Sequence, residues 1–129
     1  MDFSDDIILA QNMRKRAIAD ISGYTVGAVL MTKNGKKYTG CNIENQGIQS
    51  ICAERVAFCK ALSEGETDFE RILVMGGKKG EKEEKCLPCG YCRQFMSEFV
   101  SKDFKIYTVY DNKYEEYTME KLLPYAFEM

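Results

Sequence analysis

The chain has 129 residues, a formal net charge of -2 and a composition that is 45% hydrophobic and 29% charged. This length fits one domain with one core, so residues 1–129 are expected to form a single domain. The charge provides no basic surface for a phosphate backbone, which argues against a nucleic-acid partner, and no apolar stretch is long enough for a signal sequence or a membrane span. The sequence therefore predicts a cytoplasmic protein that binds small molecules.

Helical and strand-like patterns alternate along the chain. Asn34-Gly35 separates two strand-like runs and is typical of a β-hairpin turn. The predicted elements are a Ser-capped helix over 4–21, strands over 24–32 and 36–43, a helix over 52–63, a strand over 69–77, a helix from Pro88 with apolar positions up to Val100, a strand over 104–110, and finally an edge strand and a short helix from Thr118 to near Pro124. This order predicts an α/β fold, a three-layer α/β/α sandwich with a mixed central sheet of about five strands.

Six cysteines are present in a chain without a recognisable secretory signal. Metal ligands and buried thiols explain them better than a disulfide framework. Cys89 and Cys92 form a C-x-x-C pair, and Cys52 begins the run "CAERVAF". Three others fit no ligand spacing and are left out of the chemistry: Cys41, Cys59 and Cys86. Cys59 lies two helical turns after Cys52, which predicts a core thiol.

The three remaining cysteines lie at predicted helix starts, Cys52 on one helix and Cys89 with Cys92 on another. Free backbone N–H groups and the helix dipole favour thiolates at such positions. Sulfur ligands suit zinc, and three protein ligands leave the fourth tetrahedral position to water, as in catalytic sites. The pattern predicts one catalytic Zn²⁺ per chain.

Two charged residues follow the first of these cysteines. Glu54 lies on the same helical turn as Cys52 and is expected to exchange protons with the metal-bound water without binding the metal. Zinc with three thiolates carries about one negative charge, and Arg55 is expected to offset it by donating hydrogen bonds to sulfur. Taken alone, Glu54 fits a helix-start acid and Arg55 a surface residue, so the catalytic interpretation depends on the cysteines.

Two other classes of function fit part of the pattern. In a non-catalytic zinc module, the metal would only close the fold and Glu54 would be a helix-start acid. A redox enzyme would use Cys89 and Cys92 for thiol–disulfide exchange and hold no tight zinc. The combination of C-A-E with P-C-x-x-C favours catalytic zinc, because a structural site does not need the carboxylate.

Five segments in this order resemble the small zinc-dependent cytidine deaminases of the homotetrameric type: "CNIEN", "CAERVAF", "LSEGETDF", "PCGYCRQF" and "LLPYAF". The resemblance covers about residues 22–127. It implies that zinc-activated water attacks C4 of cytidine or deoxycytidine, while Glu54 carries a proton to N3 and later to the leaving amine. The implied products are ammonia and uridine or deoxyuridine, a reaction of pyrimidine salvage.

The resemblance also implies residues that bind the nucleoside. Asn42 and Glu44 match the ribose-hydroxyl ligands, and Tyr24 takes the place of a Phe that lies against the nucleoside. Ala53 is grouped with these substrate-binding residues. Phe127 matches an aromatic residue that reaches a neighbouring subunit's site, which implies a homotetramer with shared active sites.

Three positions depart from the usual family pattern. Tyr24-Thr25 replaces Phe-Pro, the loop between Glu44 and the first cysteine is one residue shorter and lacks its Tyr, and Tyr91 replaces a small residue between the paired cysteines. These differences leave open another aminopyrimidine nucleoside as substrate, as in the related blasticidin-S deaminases. The "CNIEN" and "LLPYAF" segments are more similar to those of the cytidine deaminases.

Overall fold

A computed structural model describes residues 2–47 and 49–129, so Ile48, in the shortened loop after Glu44, lies outside the described residues. The elements are α1 (Ser4–Arg16), β1 (Tyr24–Thr32), β2 (Lys37–Cys41), α2 (Ala53–Ser63), β3 (Phe69–Lys78), α3 (Gly90–Ser97), β4 (Lys105–Tyr110), β5 (Lys113–Thr118) and α4 (Met119–Leu122). Within the described residues, every helix is too short or too polar to span a membrane.

The five strands form one mixed sheet in the order β2-β1-β3-β4-β5. The β3 and β4 strands are parallel, and the other neighbouring strands are antiparallel. The predicted turn at Asn34-Gly35 joins β1 to β2, and Gly35 has a φ of 88°, which glycine adopts without strain. The parallel pair requires the crossover connection that contains α3.

Successive residues of the central strands point to opposite faces of the sheet, and both faces are covered by helices. Val29 and Leu73 contribute to a cluster with residues of α1, whereas Leu30 and Ile72 contribute to a cluster with residues of α2 and α3. This alternation follows from the two-residue period of a strand. The predicted three-layer α/β/α sandwich is confirmed.

Two glycines let helices approach the sheet closely. A Cβ at Gly27 would lie 2.1 Å from the carbonyl oxygen of Ala10 in α1. A Cβ at Gly40 would lie 2.3 Å from the carbonyl oxygen of Ala53 and 2.7 Å from the amide nitrogen of Ala57, both in α2. The start of α2 is therefore held against β2, next to Cys52.

The predicted first helix is too long, because α1 ends at Arg16. The amide of Ile18 donates to the carbonyl oxygen of Asn42, and the amide of Glu44 donates to the carbonyl oxygen of Ile18, so this segment pairs with the chain after β2. Ser4 lies inside the helix and does not cap it; its amide donates to Asp2 Oδ1 at 2.9 Å. Tertiary pairing overrides the local helical pattern here.

Two further predictions were wrong, one about the end of a helix and one about a buried residue. The predicted helix from Pro88 with apolar positions up to Val100 is too long, because α3 ends at Ser97 and the chain continues as a turn. Cys59 is exposed on α2 and is not a core thiol. Its position two turns after Cys52 places it on the helix without turning it towards the sheet.

Candidate active site

Three thiols from two helix starts lie together on one side of the sheet. Cys52 is the N-cap residue of α2, Cys89 is the N-cap residue of α3, and Cys92 lies in the first turn of α3. Their sulfur atoms all lie within 4.8 Å of one another, and the Sγ atoms of Cys52 and Cys89 are 3.7 Å apart. The amide of Cys92 donates to Cys89 Sγ at 3.5 Å.

The spacing of these sulfur atoms fits one zinc ion. Tetrahedral geometry with Zn–S bonds of about 2.3 Å puts neighbouring sulfur atoms about 3.8 Å apart. The Cys52 to Cys89 separation of 3.7 Å agrees with this value. A set of three thiolates leaves one tetrahedral position for a water molecule.

The pKa values of the thiols also bear on the binding of a cation. A hydrogen bond from Cys92 has the largest effect on the pKa of Cys52 and lowers it. A hydrogen bond from Arg55 lowers this pKa further, whereas the partial burial of the thiol acts in the opposite direction. The pKa of Cys92 is raised by its hydrogen bond to Cys52 and by burial. A bound cation would replace the thiol protons and stabilise the thiolates.

Glu54 lies in the first turn of α2, and only 4% of its surface is exposed. Burial, together with the negative charge of Cys52, raises the pKa of its carboxyl group to about 7. A carboxyl group with this pKa is suited to accept and return a proton at neutral pH. The structure therefore places a carboxyl group that can exchange a proton near neutral pH on the same helical turn as one of the thiols.

Arg55 extends from the same turn towards the sulfur cluster. Its Nη2 donates to Cys52 Sγ at 3.6 Å and to the carbonyl oxygen of Ser50 at 3.3 Å. Its guanidinium carbon lies 4.1 Å from the centre of the Tyr91 ring. Arg55 thus donates to the Cys52 thiol, also interacts with the Cys92 thiol, and contacts Tyr91, which lies between Cys89 and Cys92.

Asn42 and Glu44 lie where β2 ends, and their side chains bond to backbone near the start of β1. The Asn42 side chain accepts from the amide of Val26 at 2.9 Å and donates to the carbonyl oxygen of Tyr24 at 2.8 Å. Glu44 accepts from Ser22 through both the amide and the hydroxyl group. These hydrogen bonds hold the ends of β1 and β2 together.

Cys86 is a residue of this region that the sequence analysis set aside. A Cβ at Gly76 would lie 2.6 Å from Cys86 Sγ and 3.0 Å from a ring carbon of Tyr24, so both side chains pack over Gly76. The pKa of the Cys86 thiol is raised to about 12, mainly because the thiol is buried and to a smaller extent because of the negative charge of Glu54. The bridge between Gly76 and Glu84 that brings Cys86 here leaves no signal in cysteine spacing.

Two other predicted site residues have different surroundings. Ala53 is fully buried at the first position of α2, with its carbonyl group against Gly40. Phe127 is 67% exposed, and its carbonyl oxygen accepts from Gln94 Nε2 at 3.2 Å. Phe127 lines a groove of about 780 Å³ between the C-terminal residues and the end of α3, and does not join the sulfur cluster within this chain.

Three thiols at helix starts, beside a buried carboxyl group, define a zinc-binding hydrolytic centre. The family model described as "Cytidine and deoxycytidylate deaminase zinc-binding region" matches residues 6–108. The chain belongs to this family of zinc-dependent deaminases, as the sequence motifs predicted.

Individual relatives agree with this assignment. The chain is 39% identical to a cytidine deaminase of Sporosarcina psychrophila, over 98% of this chain and 92% of the relative. It is 41% identical to a probable cytidine deaminase of Dictyostelium discoideum, over 92% of this chain and 78% of the relative. A crystal structure of cytidine deaminase from Burkholderia pseudomallei superposes with a TM-score of 0.85 and 33% identity, covering 98% of this chain and 100% of the other.

A more distant relative bears on the alternative substrate. A blasticidin-S deaminase of Bacillus cereus is 29% identical, over 79% of this chain and 76% of the relative. The chain is therefore more similar to the two relatives named above as a cytidine deaminase and a probable cytidine deaminase than to this blasticidin-S deaminase.

Proposed function

We propose that this chain catalyses the hydrolytic deamination of cytidine and deoxycytidine to uridine and deoxyuridine with release of ammonia, as a step of pyrimidine salvage in the cytoplasm. The observation that carries the proposal is the buried Glu54 on the same helical turn as Cys52 in the three-thiol cluster. A site that only held a structural ion would not need a buried carboxyl group at this position. The thiol–disulfide alternative does not account for the carboxyl group either.

Cys52, Cys89 and Cys92 are proposed as the zinc ligands. When bound, zinc acts as a Lewis acid and lowers the pKa of a coordinated water molecule. The unpaired N–H groups at the starts of α2 and α3 stabilise the negative charge of the thiolates. Arg55 donates to Cys52 Sγ and withdraws part of that charge.

Glu54 is proposed to carry the proton. It accepts a proton from the attacking water and transfers it to N3 of the pyrimidine as the C4–O bond forms, then takes the proton of the new C4 hydroxyl group and delivers it to the amine as the C4–N bond breaks and the carbonyl group forms. Water and cytidine are consumed, and uridine and ammonia are released. A pKa of about 7 lets one group do both tasks at neutral pH.

The substrate-binding residues are proposed by their position at the adjoining strand ends. Asn42 is proposed to donate from its amide nitrogen, and Glu44 to accept at its carboxylate, in hydrogen bonds with the ribose hydroxyl groups, and the bonds of these side chains to β1 and to Ser22 fix their orientation. Tyr24 is proposed to lie against the nucleoside. Ala53, which is fully buried, contributes through its backbone at the start of α2.

We further propose a homotetramer in which Phe127 completes the active site of a neighbouring subunit. Three large apolar side chains near the C-terminus are strongly exposed on the single chain: Tyr125, Phe127 and Met129. Exposed apolar groups clustered in this way are typical of subunit interfaces. Phe127 lines the C-terminal groove and is 67% exposed, so its ring is accessible to a neighbouring subunit.

A direct assay tests the proposed reaction. The purified protein, with its zinc content measured, is incubated with cytidine while the loss of ultraviolet absorbance of the 4-aminopyrimidine is followed. We expect turnover by the parent protein and a loss of roughly 10²–10⁴-fold in Glu54→Gln, whose zinc content is unchanged. Glu70→Gln, which changes an exposed glutamate of β3, is the matched control.

The other outcomes separate the alternatives. Equal turnover by Glu54→Gln would contradict the role of this carboxyl group. A zinc-loaded parent that deaminates blasticidin S but not cytidine would replace the substrate and keep the chemistry. A parent protein with no zinc and with rapid disulfide exchange at Cys89 and Cys92 would support the redox alternative.

A further inference from the structure

We propose that Tyr91 is a positioning residue: its ring holds the Arg55 guanidinium group against Cys52 Sγ and so slows the loss of zinc from the three thiolates. The inference rests on the proposed assignment of these cysteines as zinc ligands. It concerns the retention of the metal and does not depend on which nucleoside is deaminated.

The Arg55 guanidinium group has few hydrogen bonds to hold it at the sulfur cluster. Nη2 donates to Cys52 Sγ at 3.6 Å and to the carbonyl oxygen of Ser50 at 3.3 Å, and the Cys92 thiol also attracts the guanidinium group. Among the described residues, no acceptor faces the buried Nε of Arg55. The long side chain therefore needs another contact to stay in this orientation, since ordering an arginine costs rotamer freedom.

Tyr91 provides that contact through its ring. The guanidinium carbon of Arg55 lies 4.1 Å from the ring centre, well inside the range of a cation–π interaction. The Tyr91 side chain is 66% exposed, so it is not fixed by packing in a core. Arginine stacks on an aromatic face while its edge remains available for hydrogen bonds, and here that edge points to Ser50 and Cys52.

The position of Tyr91 gives this stack a particular effect. Tyr91 lies between Cys89 and Cys92 at the start of α3, whereas Arg55 follows Cys52 at the start of α2. The contact therefore joins the two chain segments that supply the sulfur atoms. Loss of the ring would free Arg55 from Cys52 and also remove a link between the two helix starts.

The test measures zinc release and not deamination. Full-length protein loaded with one equivalent of zinc is mixed with an excess of a chromogenic chelator at neutral pH, and the release rate is recorded for the parent, Tyr91→Ala and Tyr91→Phe. We expect release about three- to tenfold faster in Tyr91→Ala, as an interaction of the cation–π size allows, and within about twofold of the parent in Tyr91→Phe.

A double-mutant cycle with Arg55→Gln tests whether Tyr91 acts through Arg55. We expect Tyr91→Ala to have no additional effect in the Arg55→Gln background. Tyr110→Ala is the matched control, because it removes the ring of a similar pair, with Lys113 4.8 Å from the ring centre, on the β4–β5 hairpin and not at the start of α2 or α3. This control should release zinc at the parent rate.

Three results would overturn the inference: a parent-like release rate in Tyr91→Ala, an equal defect in Tyr91→Phe, or the same acceleration with and without Arg55. A Tyr91→Ala protein with altered KM for cytidine and unchanged zinc release would assign Tyr91 to the substrate entrance instead. Failure of the proposed deamination would leave this measurement unaffected, whereas absence of zinc binding by the parent would contradict both proposals.

Discussion

The proton affinity of Glu54 follows from where the fold puts its side chain. The carboxyl group is buried beside the thiols, and ionising it there places a negative charge close to that of Cys52. Its pKa of about 7 compares with 4.5 for an ordinary glutamate. The same burial that suits Glu54 to proton transfer makes it a source of instability when no metal is present.

This cost gives a pH-dependent prediction for the zinc-free protein. Below about pH 4.5 the carboxyl group is protonated in both states and costs nothing; as the pH rises towards 7, only the unfolded chain gains by ionisation. Glu54→Gln avoids the cost, so we expect its advantage in free energy of unfolding over the parent to grow by about 3 kcal/mol between pH 4.5 and pH 8.

Urea unfolding of reduced, chelator-treated protein at both pH values measures this difference. Glu70→Gln serves again as the control and should track the parent, because Glu70 is exposed. If the difference in free energy of unfolding between Glu54→Gln and the parent is the same at both pH values, burial does not raise the pKa of Glu54.

At the scale of elements, the site depends on how closely two helices approach the sheet. Gly40 and Gly27 provide comparable approaches on opposite faces, Gly40 to α2 and Gly27 to α1. Only the contact at Gly40 lies next to a proposed ligand, because the atom it meets belongs to Ala53, the residue after Cys52. The two glycines therefore form a natural pair for comparison.

We expect Gly40→Ala and Gly27→Ala each to lower the free energy of unfolding by roughly 1–3 kcal/mol, since the added methyl group meets backbone that must shift. Zinc release to a chelator should accelerate only in Gly40→Ala, because displacement of α2 moves Cys52. Denaturant unfolding and release rates of the two proteins test this. If zinc release were accelerated equally in Gly27→Ala, the release rate would depend only on the overall stability of the protein and not on the position of α2.

At the scale of the whole molecule, the proposed tetramer predicts complementation between two inactive proteins. Phe127→Ala retains Glu54 but lacks the aromatic residue proposed for its neighbour's site, and we expect its turnover to fall about tenfold or more with unchanged zinc content. Glu54→Gln retains Phe127. Mixed assemblies pair an intact Glu54 with an intact Phe127 and should regain turnover.

Co-expression of the two variants, with mass measurement by light scattering, tests this prediction. We expect the assembly to have the mass of four chains. We also expect the turnover of the co-expressed protein to exceed the summed turnover of the two variants expressed separately. A monomeric parent would contradict the tetramer, and activity equal to the sum would contradict a site shared between subunits.

The features that could be predicted from the sequence are those with a local signal. Gly35 marks the β1–β2 turn, Pro88 precedes α3, and the side chain of Thr118 accepts from the amide of Lys121 at the start of α4, as the predicted cap requires. The cysteine spacing predicted the cluster because helix starts place nearby residues in a fixed relation to the helix axis.

The features that were missed depend on contacts between distant segments. Ile18 leaves the helical pattern to pair with Ile43, and Glu84 pairs with Gly76, which brings Cys86 against Tyr24. The pairing partners cannot be read from the periodicity of either segment, since Ile18 pairs with a residue 25 positions along the chain and Gly76 pairs across an irregular, charged loop with a residue 8 positions along. The stack of Tyr91 on Arg55 has the same origin.

The separation between the proposed ligands has a consequence for folding. Cys52 and Cys89 are 37 residues apart, and the segment between them contains α2 and all of β3, a strand at the centre of the sheet. An ion held by both cysteines cross-links the two ends of this segment. Because the cross-link lowers the conformational entropy of the unfolded chain, it is expected to stabilise the folded state by about 4 kcal/mol. Loss of the ion would thus lengthen the search for the β1–β3 and β3–β4 pairings, so that refolding slows when zinc is withheld.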